Sequence, residues 1–187
     1  MRKALGLSVA VASALSSAAL FAAPASAASS NTVLTVSLSG GTLSISAPAT
    51  ATLSGSVAAG TVISGSMGTT TVTDNRGTLA GWTVNALTSG NLSSASAGSN
   101  INLGTLAAGG PLTLVTGAVS ATGGAILTGV AAGAGGSLNP SQNVAVAAAA
   151  LAAGGGTYTY APTLTLTVPP NTVAAADYTT TITQTVT

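Results

Sequence analysis

The sequence predicts an all-β fold, an antiparallel β-sandwich, and three observations carry that expectation. Apolar residues recur with a period of two, as in Leu34, Val36 and Leu38 or in Leu164, Leu166 and Val168. The positions between them are Thr and Ser, and the β-branched residues of such runs fit a pleated, half-buried surface. Gly, Pro and Asn punctuate the runs at short spacing, which gives about nine to eleven strands in one domain.

The chain has 187 residues, and the first 27 read as a secretory signal peptide. Arg2 and Lys3 supply a positive start, residues 4–21 are apolar, and Ala25-Ser26-Ala27 has the small residues of a cleavage site. The apolar run approaches the length of a bilayer span, but its Ala and Ser content and the cleavage pattern favour removal. Residues 28–187 then form the single β-sandwich domain. No Cys stands at the cleavage site to carry a lipid, and no integral membrane anchor is expected after cleavage.

From Asn31 the elements follow in order. Leu34–Leu38 and Leu43–Ile45 read as two arms of a hairpin around Gly40-Gly41. Residues 51–57 and 61–66 read as weaker strands. Val72 sits among threonines in a strand, and Asp74-Asn75-Arg76-Gly77 has turn chemistry: Asp and Asn bond their own backbone, and Gly accepts positive φ. Trp82, Val84 and Ala86 then face one way and Thr83 and Asn85 the other, so this stretch reads as the second arm of a hairpin. Residues 91–110 read as loop with a short strand at 101–106. Residues 112–119 and 125–130 are further strands, and 131–139 is Gly-rich loop.

Residues 143–153 are ambiguous. Their alanines favour helix, but the alternation of Val144 and Val146 and the strands on either side favour a strand. Residues 158–168 read as one long strand ended by Pro169-Pro170. In residues 178–187, Tyr178, Ile182 and Val186 share a face opposite a row of threonines, a structural role.

Composition removes several function classes. Charged residues are 3% of the chain, against about 25% in ordinary soluble domains. His and Cys are absent, so no disulfide or thiolate metal site forms. The net charge of +1 includes Arg2 and Lys3; the mature region carries only Asp74, Arg76 and Asp177. One Arg without Lys cannot neutralise a run of phosphates, which excludes nucleic acid, and offers no basic patch to anionic lipid. General acid–base catalysis needs a group tuned near the working pH. Here the mature side chains offer two Asp and three Tyr. A glycosidase pair would need both Asp, and nothing charged surrounds them to position a substrate. No enzyme and no cofactor is expected. Asp74, Asn75 and Asp177 lack the spacing of a calcium loop.

Two stretches resemble the WxL-domain family of Gram-positive surface proteins. Val72-Thr73-Asp74-Asn75-Arg76-Gly77 followed by Gly81-Trp82-Thr83-Val84 is similar to its V-x-D-x-R-G…G-W-x-L/V segment. Leu164–Pro169 followed by Tyr178–Val186 is similar to its closing strands. The resemblance covers residues 71–187. Val84 stands for the Leu of the first W-x-L, and Gln184 and Val186 stand for the Trp and Leu of the second. The resemblance implies a secreted protein that attaches non-covalently to the cell wall by binding peptidoglycan.

Asp74, Arg76, Gly81, Trp82 and Val84 are the candidate ligand contacts. Trp82 would stack on sugar rings if exposed, but its alternation with Thr83 and Asn85 favours a core position pinning two sheets. Asp74 and Arg76 offer a local ion pair or a polar glycan contact, but the run favours a turn whose Asp accepts backbone N–H groups; a pairing of Arg76 with Asp177 across space is left open. The expected function is that of a secreted, non-enzymatic cell-surface domain, cell-wall associated, with peptidoglycan or another surface protein as partner. The alternative is a structural subunit of a surface filament or coat, since an uncharged Thr/Val-rich chain pairs readily edge to edge. Mature protein from the native host is expected to begin at Ala28. N-terminal mass spectrometry checks this, and an intact leader on membrane-bound protein would refute it.

Overall fold

Alternating β-branched residues build the strands here, and glycine or proline stops them. The computed structural model describes residues 32–55, 58–78, 80–103, 110–125, 127–139, 141–148 and 155–187. The chain divides into two compact units, residues 1–37 and 38–187. Of the first, residues 32–37 are described; they form no strand, and Val33, Leu34 and Val36 are exposed. The expected signal peptide lies outside the described residues.

The described part of the second unit holds fourteen strands and no helix. They are β1 (Leu43–Ser46), β2 (Val62–Ser66), β3 (Thr70–Asp74), β4 (Trp82–Thr88), β5 (Leu92–Ser94), β6 (Ser99–Ile101) and β7 (Leu112–Val115). There follow β8 (Ser120–Thr122), β9 (Val130–Ala132), β10 (Gly136–Ser137), β11 (Gln142–Ala147), β12 (Gly156–Tyr160), β13 (Thr163–Thr167) and β14 (Ile182–Val186). Every pairing is antiparallel.

The first layer is built from two four-stranded sheets, β1-β3-β12-β8 and β10-β7-β13-β2. They continue one another through kinked strands: β2 runs into β3, β12 into β13 and β7 into β8. At the kink Met67 N–H donates to the Pro162 carbonyl at 2.8 Å. Thr70 pairs with Tyr160 on one side and Ser66 with Thr163 on the other, so one strand advances a residue more than its partner. That is the signature of a bulge, which bends and twists a strand. Pro162 has no N–H to give to a ladder, so a break falls naturally there.

The second layer is the sheet β14-β4-β11-β9, with β5 and β6 as a separate hairpin. A bridge between Ser93 and Thr179 and a bond from Ser89 N–H to the Thr181 carbonyl at 2.8 Å tie that hairpin to the approach to β14. The core lies between the layers. Val72, Tyr158, Leu114 and Leu164 point in from the first; Trp82, Val84, Ala86 and Val144 point in from the second. Each fully buried Val or Leu contributes roughly 1.5–3 kcal/mol, and with so few aromatics these residues carry most of the core. Leu138, fully buried, links the layers: it donates to the Leu112 carbonyl and accepts from Thr88 N–H, both at 3.2 Å.

The sandwich expectation holds, and several elements are corrected. The first arm of the proposed N-terminal hairpin is absent: residues 32–40 form no strand, and β1 pairs with β3 instead. Residues 51–55 form no strand either. The strands flanking Asp74–Gly77 are present but do not pair; β3 lies in one layer and β4 in the other. The turn is therefore an arch between layers, because Val72 and Trp82 must both face the same core. Residues 91–103 hold the β5–β6 hairpin, and of the strand expected at 101–106 only Ile101 is strand among residues 101–103, the rest lying outside the described residues. The strand expected at 112–119 ends at Val115. That expected at 125–130 is replaced by β8 before it and β9 at its end, and β10 lies inside the supposed loop 131–139. Residues 142–147 are a strand, as the Val alternation favours; most of the alanine run after them lies outside the described residues. The long strand 158–168 is split in two at Pro162.

Candidate functional site

The arch between β3 and β4 carries the motif residues. Asp74 ends β3 with only 2% of its surface exposed. Its Oδ1 accepts from Arg76 N–H at 3.0 Å, the short turn that Asp favours. The Arg76 guanidinium returns to the same carboxylate with Nε on Oδ1 at 3.0 Å and Nη2 on Oδ2 at 2.9 Å. This paired fork is the geometry that Arg makes and Lys cannot. The spare Nη2 donor capacity goes forward along the chain, to the carbonyls of Ala80 at 3.0 Å and Gly81 at 3.1 Å. One guanidinium thus ties the end of β3 to the start of β4. The hydrogen bonds from Arg76 hold the Asp74 carboxyl below the usual carboxylate range, against the opposing effect of burial. The same pairing raises Arg76.

Backbone packs tightly around the arch. Gly41 N–H donates to the Asn75 carbonyl at 2.7 Å, and Asn75 N–H donates to Thr42 at 3.0 Å. A Cβ on Gly41 would lie 2.9 Å from the Asn75 side chain, and one on Gly155 would lie 2.5 Å from the Asp74 carbonyl oxygen. These two glycines are needed for close approach. The Gly40-Gly41 pair, which reads as a hairpin turn in sequence, instead lets β1 and its leading residues close over the arch.

Beyond the arch, Trp82 and Val84 point inward, exposed by 2% and 0%. The Trp82 ring lies tilted at 58° against Tyr158 with centroids 5.3 Å apart, a favoured aromatic geometry that pins β4 to β12 across the core. Trp82 Nε1 has no hydrogen-bond partner among the described residues.

Gln184, which stands where the resemblance would put a second Trp, makes a second cross-layer tie. Its Oε1 accepts from Tyr160 Oη at 2.7 Å, and its Nε2 donates to Thr70 Oγ1 at 3.1 Å. Burial pushes the Tyr160 phenol up, partly offset by the Thr70 hydroxyl. Ile182 and Val186 flank Gln184 on the same face and, with Tyr178, pack half-buried against the core. Tyr178 Oη donates to the Val173 carbonyl at 2.8 Å. No signal in the sequence joins Gln184 to Tyr160, because the pairing depends on two strands in opposite layers.

The second carboxylate has partners of its own. Asp177 accepts from the Ser94 hydroxyl, from Ser96 Oγ at 2.6 Å and from Ser96 N–H at 2.9 Å. These bonds, that from Ser94 foremost, hold it well below the usual carboxylate range. Asp177 therefore does not pair with Arg76, and Asp74, Asn75 and Asp177 do not converge on one cation. Nothing in the sequence singles out Ser94 and Ser96, since serines in such a stretch carry no distinguishing pattern.

Arch, aromatic pin and closing strand together define a β-sandwich domain whose two layers are stapled by side chains. A family model described as "WxL domain surface cell wall-binding" matches residues 57–187. The chain belongs to this family, and it is accordingly an extracellular, cell-wall-associated surface domain. No curated protein and no solved structure matches it.

Two outcomes follow from this geometry. Asp74→Ala removes the acceptor for three hydrogen bonds and the counter-charge of a guanidinium only 24% exposed, which keeps its bonds to the Ala80 and Gly81 carbonyls. Denaturant unfolding should show a loss on the order of 2–3 kcal/mol. Because the folded-state pKa of Asp74 is depressed, its contribution is complete above the unfolded value of about 4 and is lost as pH falls through the folded value. The midpoint should be flat from about pH 6 to 9 and fall below about pH 4, less steeply in Asp74→Ala. Trp82→Ala should cost about 3–5 kcal/mol. The native emission of this single Trp should be blue-shifted and poorly quenched by acrylamide; a red, easily quenched native emission would refute the core position.

Proposed function

We propose that this domain holds its protein to the cell wall by binding peptidoglycan non-covalently, through uncharged hydrogen bonding. The observation that carries this reading is the outer face of the first layer. Ser44 and Ser46 of β1 stand beside Thr73 and Thr71 of β3, which stand beside Thr157 and Thr159 of β12. Their neighbours Val72 and Tyr158 point inward, so these hydroxyls point outward, exposed or half-exposed. β8 extends the array with Ser120 and Thr122. Each hydroxyl both donates and accepts, which suits the hydroxyl and amide groups of a glycan strand. No charged side chain interrupts this array.

On this reading Asp74, Arg76, Gly81, Trp82 and Val84 act from beneath. They fix β3 and the arch at its end, and the face above them meets the polymer. Glycan contact by the Trp82 ring would require a side chain now buried to turn outward.

Sedimentation with purified sacculi tests the proposal. The mature protein should be retained by sacculi stripped of accessory wall polymers and released when a muramidase cuts the glycan. Retention should change little between low and high salt, since few charges are available to release counterions. Replacing Thr71, Thr73, Thr157 and Thr159 together by Val should weaken retention about tenfold or more, as several hydrogen bonds at about 1 kcal/mol each are lost. Retention on accessory polymers alone, or a steep salt dependence, would overturn it.

A further inference from the structure

β2 is an edge strand, paired on one side only, with β13. It is five residues long, uncharged, and Val62 on it is 59% exposed. Pro48–Gly55 runs alongside; a Cβ on Gly65 would lie 3.1 Å from the Thr52 carbonyl oxygen. Yet among the described residues no backbone hydrogen bond joins that segment to β2. Edge strands are ordinarily protected by charge, proline, a bulge or a covering loop; β2 has neither charge nor proline, and its cover is Pro48–Gly55, which would have to move aside for a strand to add. Inside this edge, between the layers, lies a groove of about 880 Å³. It is lined on one side by apolar residues, among them Ile63 of β2, Leu164 and Leu166 of β13 and Leu112 of β7, and it is walled by the loops 48–55 and 172–181.

The same chain carries a segment shaped to fill it. Residues 32–38 read Thr-Val-Leu-Thr-Val-Ser-Leu and have no strand partner. Leu34, Val36 and Leu38 alternate with Thr35 and Ser37, and they are exposed by 84%, 66% and 93%. An extended run of seven residues reaches about 23 Å, enough to lie along a five-residue edge. The segment carries no charge that would oppose pairing.

We propose that residues 32–38 of one copy add as a strand to the β2 edge of a second copy, with Leu34, Val36 and Leu38 entering the groove. Main-chain hydrogen bonds to β2 supply affinity and the alternate side chains supply register, the mode of strand addition. Donor and acceptor are different surfaces of one molecule, so the contact is head-to-tail, and where the rotation between copies does not close a ring it propagates as an open chain. The domain thereby joins its own kind in rows, independently of its attachment to wall polymer.

Two variants at exposed positions separate the halves of the contact. Leu34→Asp with Val36→Asp spoils the donor and leaves β2 intact. Val62→Lys puts a charge on the acceptor edge and leaves the donor intact. Light scattering of the mature protein, without wall material, should show wild type growing through a ladder of multimers with concentration. Each variant alone should stay monomeric to concentrations at least tenfold higher, with wild-type Trp emission and thermal midpoint. Mixed in equal amounts, they should give a dimer and nothing larger, because one donor meets one acceptor and both remaining ends are blocked. Wild type that stays monomeric, variants that assemble as wild type does, or a mixture that stays monomeric would each overturn the proposal.

Discussion

The fold turns on one guanidinium. Arg76 binds the carboxylate that ends β3 with two donors and reaches the carbonyls of Ala80 and Gly81 just before β4. Without that staple the nearly buried Asp74 carboxylate would lose its counter-charge and two of its three donors. Buried polar groups left unpaired cost about 1–3 kcal/mol each, a large share of a whole domain's 5–15 kcal/mol. The arch in turn sets the phase of β4. Once Gly81 is fixed, Trp82 must point inward, and it meets Tyr158 on the strand that pairs with β3. The two ends of the arch are thus joined again through the core.

The scarcity of charge shapes the rest. With 3% charged residues, the solvent faces are covered by Thr and Ser. Such faces hydrogen-bond in either sense and neither repel nor attract at long range. The consequence for binding is a dependence on shape and short-range hydrogen bonding rather than on salt. The consequence for assembly is that charge does little to keep strand edges apart, so an unpaired edge and an unpaired strand in one chain form a complementary pair.

Gln184 shows how a closing strand is anchored without a large aromatic. Its amide bonds Tyr160 and Thr70 across the layers, while Ile182 and Val186 supply apolar packing on either side. A half-buried amide is tolerated because both its ends are satisfied; a single unmet end would bring the full cost of desolvation.

Local chemistry determined much of this protein. Period-two alternation marked β3, β4, β13 and β14, and the Asp-Asn-Arg-Gly run marked a turn, because side-chain direction and turn preference act over a few residues. The same alternation put Trp82 in the core and favoured a strand at 142–147 over a helix. It misled at residues 34–38, where the pattern of a strand is present but no neighbour pairs with it. Only the tertiary structure decided which strands pair: that β3 and β4 separate into different layers, that β1 joins β3 across Gly41, and that one run breaks at Pro162. Pairing is set by contacts between residues far apart in the chain, and many pairings are compatible with the same alternation. The partners of Asp177 and Gln184 were likewise fixed by that assembly, since a Ser or a Tyr gains its role from what the fold brings beside it.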